Sequence, residues 1–283
     1  MICYNSLRAM RKVFSNSTLD DTLAEKGWVK VSLLNETEVD SLIRFYKERE
    51  SFQKQPGLHF SLASNNYGFR KEVNEAIAEV LSSKAEALFN NYRMLYANFM
   101  IKEPGAEGNF PLHQDWTYVN EEEFRSVAIW IALTDNNEQT GCLHVVEQSH
   151  LWGNAYRGPG LSWKFENVTE SLRKNLLPLP LKAGEALVWD HRLIHASNPN
   201  TAAYARLAAT AILVPQEATA FHFVKEFVPQ ESVCRYEVDT DFFLRYTMQN
   251  LKELNVTLAV KYPERHQPYT DSDLQLLTNQ AAV

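Results

Sequence analysis

Seven consecutive apolar residues, Val127-Ala128-Ile129-Trp130-Ile131-Ala132-Leu133, constrain the fold of this chain more than any other stretch. Along an extended strand successive side chains face opposite ways. Val127, Ile129, Ile131 and Leu133 therefore share one side, and Ala128, Trp130 and Ala132 share the other. Both faces are apolar, so the strand belongs in the middle of a sheet that is covered on both sides. The run is far too short to cross a bilayer, which takes about 18 apolar residues or more.

The rest of the chain supplies the cover. Trp28 to Leu33 alternates as a strand. Asn35 is placed to cap a helix over Glu36 to Glu48, with Val39, Leu42, Ile43 and Tyr46 at helical spacing. Residues 51–69 are turn-rich and read as a loop, and a second helix is expected from about Lys71 to Asn91. The texture then becomes β-rich. Met94 to Lys102 is extended and ends at Pro104-Gly105, a turn signal. Further strands are expected at Cys142 to Glu147, Leu176 to Leu181, Ala186 to Trp189, Ala205 to Pro215 and Thr219 to Val228, with a long connection over 151–175. A short helical piece is expected over Asp241 to Leu254. Helices first and short strands afterwards predict a mainly β fold, a two-sheet roll with flanking helices. No interior linker divides it, so one domain over 1–283 is expected, with an N-terminal arm at 1–24 and a surface tail at 263–283.

Composition narrows the function classes. The chain has 283 residues, 45% of them hydrophobic, and a formal net charge of −7. That charge argues against nucleic acid or an anionic membrane as partner. Arg8, Arg11 and Lys12 are not followed by an apolar segment, so a secretory signal is not expected. Cys3, Cys142 and Cys234 are scattered and odd in number. They form neither a disulfide framework nor a zinc pattern, and fit a reducing, cytoplasmic setting.

The chemistry concentrates in Leu112-His113-Gln114-Asp115-Trp116. On a strand His113 and Asp115 project together and Gln114 turns away. One imidazole and one carboxylate on one face are two-thirds of the 2-His-1-carboxylate triad that holds non-haem iron and leaves positions open. The candidate for the third ligand is His195, 80 residues after Asp115, with His191 as its competitor. Arg206 lies 11 residues after His195, beyond the turn Asn198-Pro199-Asn200. Strands joined by such a turn are expected to be neighbours, which lets His195 and Arg206 face one pocket. An arginine within Ala205-Arg206-Leu207-Ala208-Ala209-Thr210 is costly unless paired, and a dicarboxylate suits its guanidinium fork.

These pieces, in order, resemble the phytanoyl-CoA dioxygenase-like enzymes among the iron(II)/2-oxoglutarate-dependent oxygenases. The resemblance rests on Lys102-Glu103-Pro104-Gly105, Pro111 to Asp115, Ile129 to Leu133, Gly141 to Val146 with Ser149-His150, Gly184 to Asp190, His195 to Asn200, and Arg206. It spans roughly residues 94–215. It implies a double-stranded β-helix, or jelly roll. It implies His113, Asp115 and His195 as iron(II) ligands, and Arg206 as the partner of the distal carboxylate of 2-oxoglutarate. Ser197 is then its hydroxyl helper, and Trp130 and Asn98 line the cosubstrate pocket. His144 and Glu147-Gln148 depart from the family pattern away from the presumed metal. The implied activity is oxidation of an unactivated C–H bond by O2 and 2-oxoglutarate, releasing succinate and CO2. Related halogenases lack the carboxylate, so Asp115 argues for hydroxylation or another oxidation.

Loops 51–69 and 151–175 and the segment after Asp115 are expected to shape specificity. A small-molecule substrate is favoured over an acyl thioester, since no basic cluster marks a coenzyme A site. The alternatives are a β-roll metalloprotein of isomerase type and a non-catalytic small-molecule binder. Metal content and succinate formation separate them. His191 is expected to be structural or at the rim, and His150 to fix a loop. His144 is expected to be packed, and His59, His222 and His266 show no partner pattern. Trp116 and Tyr118 line the substrate mouth or simply pack. Glu121 to Glu123 are expected to form a solvated loop. Nothing in the chain sets an oligomeric state.

Overall fold

A computed structural model of the chain describes residues 11–49, 56–153, 155–226, 231–246, 256–263 and 266–281. Local signals set the first elements. In α1 (Ser17–Lys26) the Asn16 side chain accepts from the Leu19 N–H at 3.2 Å, and Gly27 ends the helix at φ +84°. After β1 (Trp28–Ser32), α2 (Glu36–Lys47) opens with a reciprocal capping box between Asn35 and Glu38. It buries Val39, Leu42 and Tyr46, as its spacing requires. Then come β2 (Leu58–Phe60) and α3 (Tyr67–Leu88). The second helix starts four residues earlier than expected because Asn66 caps it, accepting from the Phe69 N–H.

The β-rich part follows as β3 (Tyr92–Lys102), β4 (Phe110–His113), β5 (Val127–Ala132) and β6 (Leu143–Val145). After a short α4 (Thr169–Arg173) come β7 (Leu177–Leu179), β8 (Glu185–Asp190), β9 (His195–Ser197) and β10 (Arg206–Pro215). The chain continues with β11 (Phe221–Glu226), β12 (Ser232–Glu237), α5 (Phe242–Arg245), β13 (Thr257–Pro263) and α6 (Asp271–Ala281).

Two antiparallel sheets face each other as a jelly roll. The larger has the order β1-β8-β5-β10-β3-β2, the smaller β4-β9-β6-β7, and β11-β12-β13 form a separate ribbon. The apolar strand β5 lies inside the larger sheet between β8 and β10, and all six of its residues are buried. Its parity works as the pattern demands. Val127, Ile129 and Ile131 pack with the helices, whereas Ala128, Trp130 and Ala132 face the smaller sheet.

Four expectations need correction. Residues 1–10 of the expected arm lie outside the described residues, but Val13 and Phe14 are fully buried. Phe14 stacks on Phe89, and Asp20 Oδ1 accepts from the backbone N–H groups of Val13 and Phe14. Leu23 of α1 is buried too, so this segment is part of the core. Of the expected loop 51–69, residues 51–55 lie outside the described residues, while β2 pairs with β3. The C-terminal segment is no loose tail, since Leu274 and Leu277 of α6 pack with Leu112 and Ile194. Strands β12 and β13 were not expected, and only Phe242–Arg245 of the expected helical piece is helical among the described residues; 247–254 lie outside them. No described helix is long and apolar enough to cross a membrane.

Candidate metal centre

The smaller sheet brings the triad together. Strands β4 and β9 are antiparallel, and their register sets His113 directly opposite His195. Asp115 follows two residues after His113. Three potential ligand atoms of His113, Asp115 and His195 lie within 4.8 Å of one another. Asp115 Oδ1 is 4.0 Å from His113 Nε2 and 3.9 Å from His195 Nε2. Each imidazole is held by its other nitrogen. Nδ1 of His113 meets the Pro111 carbonyl at 2.8 Å, and Nδ1 of His195 meets the Leu193 carbonyl at 3.0 Å. A carbonyl can only accept, so both Nδ1 atoms carry the proton and both Nε2 atoms present a lone pair. Burial and the neighbouring His195 pull the His113 pKa down to about 4, which keeps the ring neutral at pH 7.

The carboxylate is equally prepared. Trp189 Nε1 donates to Asp115 Oδ2 at 2.8 Å, which leaves Oδ1 free on the side of the two Nε2 atoms. Burial raises the Asp115 pKa, but His195, His191, His113 and the Trp189 bond together hold it below the usual value. Two imidazole nitrogens and a carboxylate on one side are the donor set for an octahedral ferrous ion with open positions. The residues fit such a metal.

Across the cavity, the larger sheet presents Arg206, with Lys102 beside it. His195 and Arg206 do face one pocket, but not as hairpin neighbours. Strand β9 belongs to the smaller sheet and β10 to the larger, so the Asn198-Pro199-Asn200 turn carries the chain between sheets. Arg206 pairs in register with Lys102 of β3, a residue that sequence reasoning used only as part of a motif. Both side chains are buried, at 1% and 0% exposure. Lys102 Nζ donates to Ser197 Oγ at 2.6 Å and to the Asn198 carbonyl at 2.5 Å, and Arg206 Nη1 donates to the Gly141 carbonyl at 2.6 Å. Among the described residues neither cation has a carboxylate partner. Burial and the Arg206 charge pull the Lys102 pKa down to about 7. Burial lowers that of Arg206 to about 10. Arg206 also sits 5.1 Å from the Trp130 ring centre, and buried Arg206 Nε and Trp130 Nε1 have no protein acceptor. A buried guanidinium with an unsatisfied Nε–H, next to a buried amine, suits an anion. Asn98 lines the same cavity with its Oδ1 unpartnered.

The segment that carries the triad is braced from behind. Gln114, turned away as expected, donates to the Arg192 carbonyl at 2.5 Å and accepts from Trp163 Nε1 at 3.2 Å. Glu121 is not in a solvated loop. It is buried and forms a two-point ion pair with Arg157, whose Nε also donates to the Asp115 carbonyl at 2.6 Å. The 151–175 connection therefore grips the backbone of a candidate ligand. His191 lies in the turn between β8 and β9, fully buried, with Nδ1 on Ser126 Oγ at 2.7 Å, and is structural. His150 meets the Ala24 carbonyl at 3.0 Å and fixes a loop. His144 is packed, with Nδ1 on the Cys142 carbonyl.

A sequence profile of the phytanoyl-CoA dioxygenase (PhyH) family matches residues 8–208. Phytanoyl-CoA dioxygenase domain-containing protein 1 of Mus musculus is 25% identical over 198 residues, which is 63% of this chain and 67% of that protein. Phytanoyl-CoA dioxygenase 1 of Oryza sativa subsp. japonica is 26% identical over 143 residues, 48% of this chain and 51% of that protein. The matches thus span about half to two thirds of the length of these curated relatives. Among solved structures, the epimerase SnoN in complex with Fe3+, alpha ketoglutarate and nogalamycin RO superposes with a TM-score of 0.56 at 17% identity, covering 90% of this chain and 95% of that one. HygX from Streptomyces hygroscopicus, with nickel and 2-oxoglutarate bound, gives 0.52 at 14% identity over 71% of this chain and 88% of that one. At these identities the likeness is one of fold.

Proposed function

Because the chain belongs to the phytanoyl-CoA dioxygenase family, we propose that it is an iron(II)- and 2-oxoglutarate-dependent dioxygenase that hydroxylates an unactivated C–H bond of a small molecule. One observation carries the proposal. A single cavity of about 530 Å³ has the donor atoms of His113, Asp115 and His195 on one wall and the Arg206 guanidinium on the other. Lys102 stands beside that guanidinium.

Bound iron supplies dioxygen activation, coupled to conversion of 2-oxoglutarate to succinate and CO2. The side chains do the rest. His113, Asp115 and His195 would hold the metal, and the Trp189 hydrogen bond orients the Asp115 carboxylate. Arg206 and Lys102 bind and orient the distal carboxylate of 2-oxoglutarate. Ser197, already accepting from Lys102, has its own proton to give to the same carboxylate. Trp130 Nε1 is a further donor at this end. The apolar walls keep water out, which strengthens each of these contacts. Asp115 would supply the carboxylate that related halogenases lack, which favours hydroxylation over halogenation.

We assign the whole chain to one oxygenase domain, since α6 packs onto the same cluster as Leu112 and Ile194, residues beside two of the candidate ligands. Buried, unpaired Cys142 and Cys234 support a reducing, cytoplasmic setting. The test is succinate formation by purified protein with ferrous iron and 2-oxoglutarate. His113→Ala is expected to abolish it while the fold survives. Turnover that persists in this variant would falsify the ligand assignment.

A further inference from the structure

The inner face of the larger sheet changes character along its length. Reading down β3, Lys102, Met100, Asn98 and Tyr96 share one side. Their partners on β10 are Arg206, Ala208, Thr210 and Ile212. On β5, Trp130 is level with Thr210, and Ala128 with Ile212. The cavity therefore runs from a cationic end, through an amide and a hydroxyl, to an end walled by Tyr96, Ile212 and Ala128. Trp116, Phe243 and Tyr246 close that far end. Among the described residues the charged side chains lining the cavity are Arg206, at the cationic end, and Asp115, a candidate metal ligand; the walls between Tyr96, Ile212 and Phe243 are apolar.

One polar device stands in this apolar end. The hydroxyls of Tyr96 and Tyr118 are 2.7 Å apart, both residues are buried, and both line the cavity. Two hydroxyls carry two protons, and their mutual bond uses one. The second has no acceptor among the described residues, since neither tyrosine makes another hydrogen bond. Burial raises both phenol pKa values, so both protons stay in place at neutral pH. A buried O–H without an acceptor costs free energy that a ligand oxygen recovers. Size sets a second limit. The cavity of about 530 Å³ must hold the diacid as well, so the part of a substrate that enters beside it is compact.

We propose that the far end of the cavity takes an uncharged, compact, ring-bearing substrate whose oxygen acceptor is held by the Tyr96–Tyr118 hydroxyl pair. This rests on the oxygenase reading, because the diacid must occupy the cationic end. In these roles Tyr96 and Tyr118 determine specificity, and the aromatic residues around them supply flat apolar contact.

The test uses full-length nickel-loaded protein, first saturated with 2-oxoglutarate. Three probes of similar size are titrated by tryptophan fluorescence: 1-tetralone, a neutral ketone; tetralin, which has no acceptor; and 1-naphthoate, an anion. Wild type is expected to bind the ketone about fivefold or more tighter than either of the others, the effect of one hydrogen bond in a dry site. The double variant Tyr96→Phe/Tyr118→Phe removes donor and acceptor together, which is close to neutral for folding. It is expected to lose the ketone preference and keep the tetralin affinity. Its 2-oxoglutarate affinity, set at the other end, checks that the cavity is intact. Equal binding of all three probes, binding of none, or tightest binding of naphthoate overturns the inference while the oxygenase reading stands. Failure of wild type to bind 2-oxoglutarate overturns both.

Discussion

Replacing Lys102 with Met keeps an apolar side chain of similar length and removes the charge, so affinity and stability should respond differently. The amine is fully buried beside Arg206 without a carboxylate partner. Burial and Arg206 lower its pKa from 10.5 to about 7. The sign follows from linkage. Between pH 7 and 10.5 the unfolded chain holds a proton that the folded one lacks. The destabilisation is therefore full below pH 7 and fades as pH rises towards 10.5. It amounts to at most about 5 kcal/mol. The amine's two hydrogen bonds, to Ser197 and Asn198, oppose it by about 3 to 6 kcal/mol. The two terms nearly cancel, so Lys102→Met should leave the melting temperature of the diacid-free protein at pH 6 almost unchanged. Binding has no such cancellation. A charge-assisted hydrogen bond to the diacid is worth about 1.5 to 3 kcal/mol, so the Kd for 2-oxoglutarate should rise about 10- to 150-fold. Diacid binding also recharges Lys102. Wild-type Kd should then climb by up to about tenfold per pH unit above pH 7, and the variant should show no such slope. Nickel-loaded protein titrated with 2-oxoglutarate at several pH values, by quenching of tryptophan fluorescence, reads both effects. A variant Kd within threefold of wild type, or an unchanged pH slope, would refute the assignment of Lys102 to the diacid.

Trp189→Phe removes the 2.8 Å bond to Asp115 Oδ2 and should weaken metal binding about 10- to 100-fold in competition with a chromogenic chelator; unchanged affinity would mean that the indole does not orient the carboxylate. Gly141→Ala would set a Cβ 2.2 Å from the Asn198 carbonyl at a φ of +72°. Because the Gly141 carbonyl accepts from Arg206, the variant should lose about 2 kcal/mol or more of stability together with tight 2-oxoglutarate binding. A variant as stable as wild type by denaturant titration would contradict that geometry. Burial lowers the pKa of His150 and His191 to about 4 and of His222 to about 3. As pH falls below 6.5 the unfolded chain takes up these protons first, so stability should drop steadily towards pH 4, by about 3 kcal/mol per histidine. Circular dichroism across pH 7 to 4 checks this, and stability that is flat to pH 4 would show that these rings are hydrated.

The parts of the site that could be read from the sequence are those governed by short-range geometry. His113 and Asp115 share a face because a strand has a period of two. The pattern of β5 announced a central strand because both of its faces had to be covered. The residues that escaped notice depend on pairings across the fold. Lys102 closes an apolar strand, and there a lysine ordinarily reaches for water. Only the pairing of β3 with β10 sets it beside Arg206 and turns an ordinary strand end into half of an anion site. The route between His195 and Arg206 was misjudged for a related reason. A short turn looks the same whether it joins neighbours in one sheet or carries the chain to the opposite one. That crossing is what gives the cavity its two chemistries, with the metal donors on one wall and the cations on the other. Glu121 and Arg157 show the same principle from the side of stability. Thirty-six positions apart, they gave no local signal, yet their buried pair fastens the backbone of Asp115. Local pattern thus identifies which side chains are candidates to hold a metal, while long-range register decides what they face across the cavity.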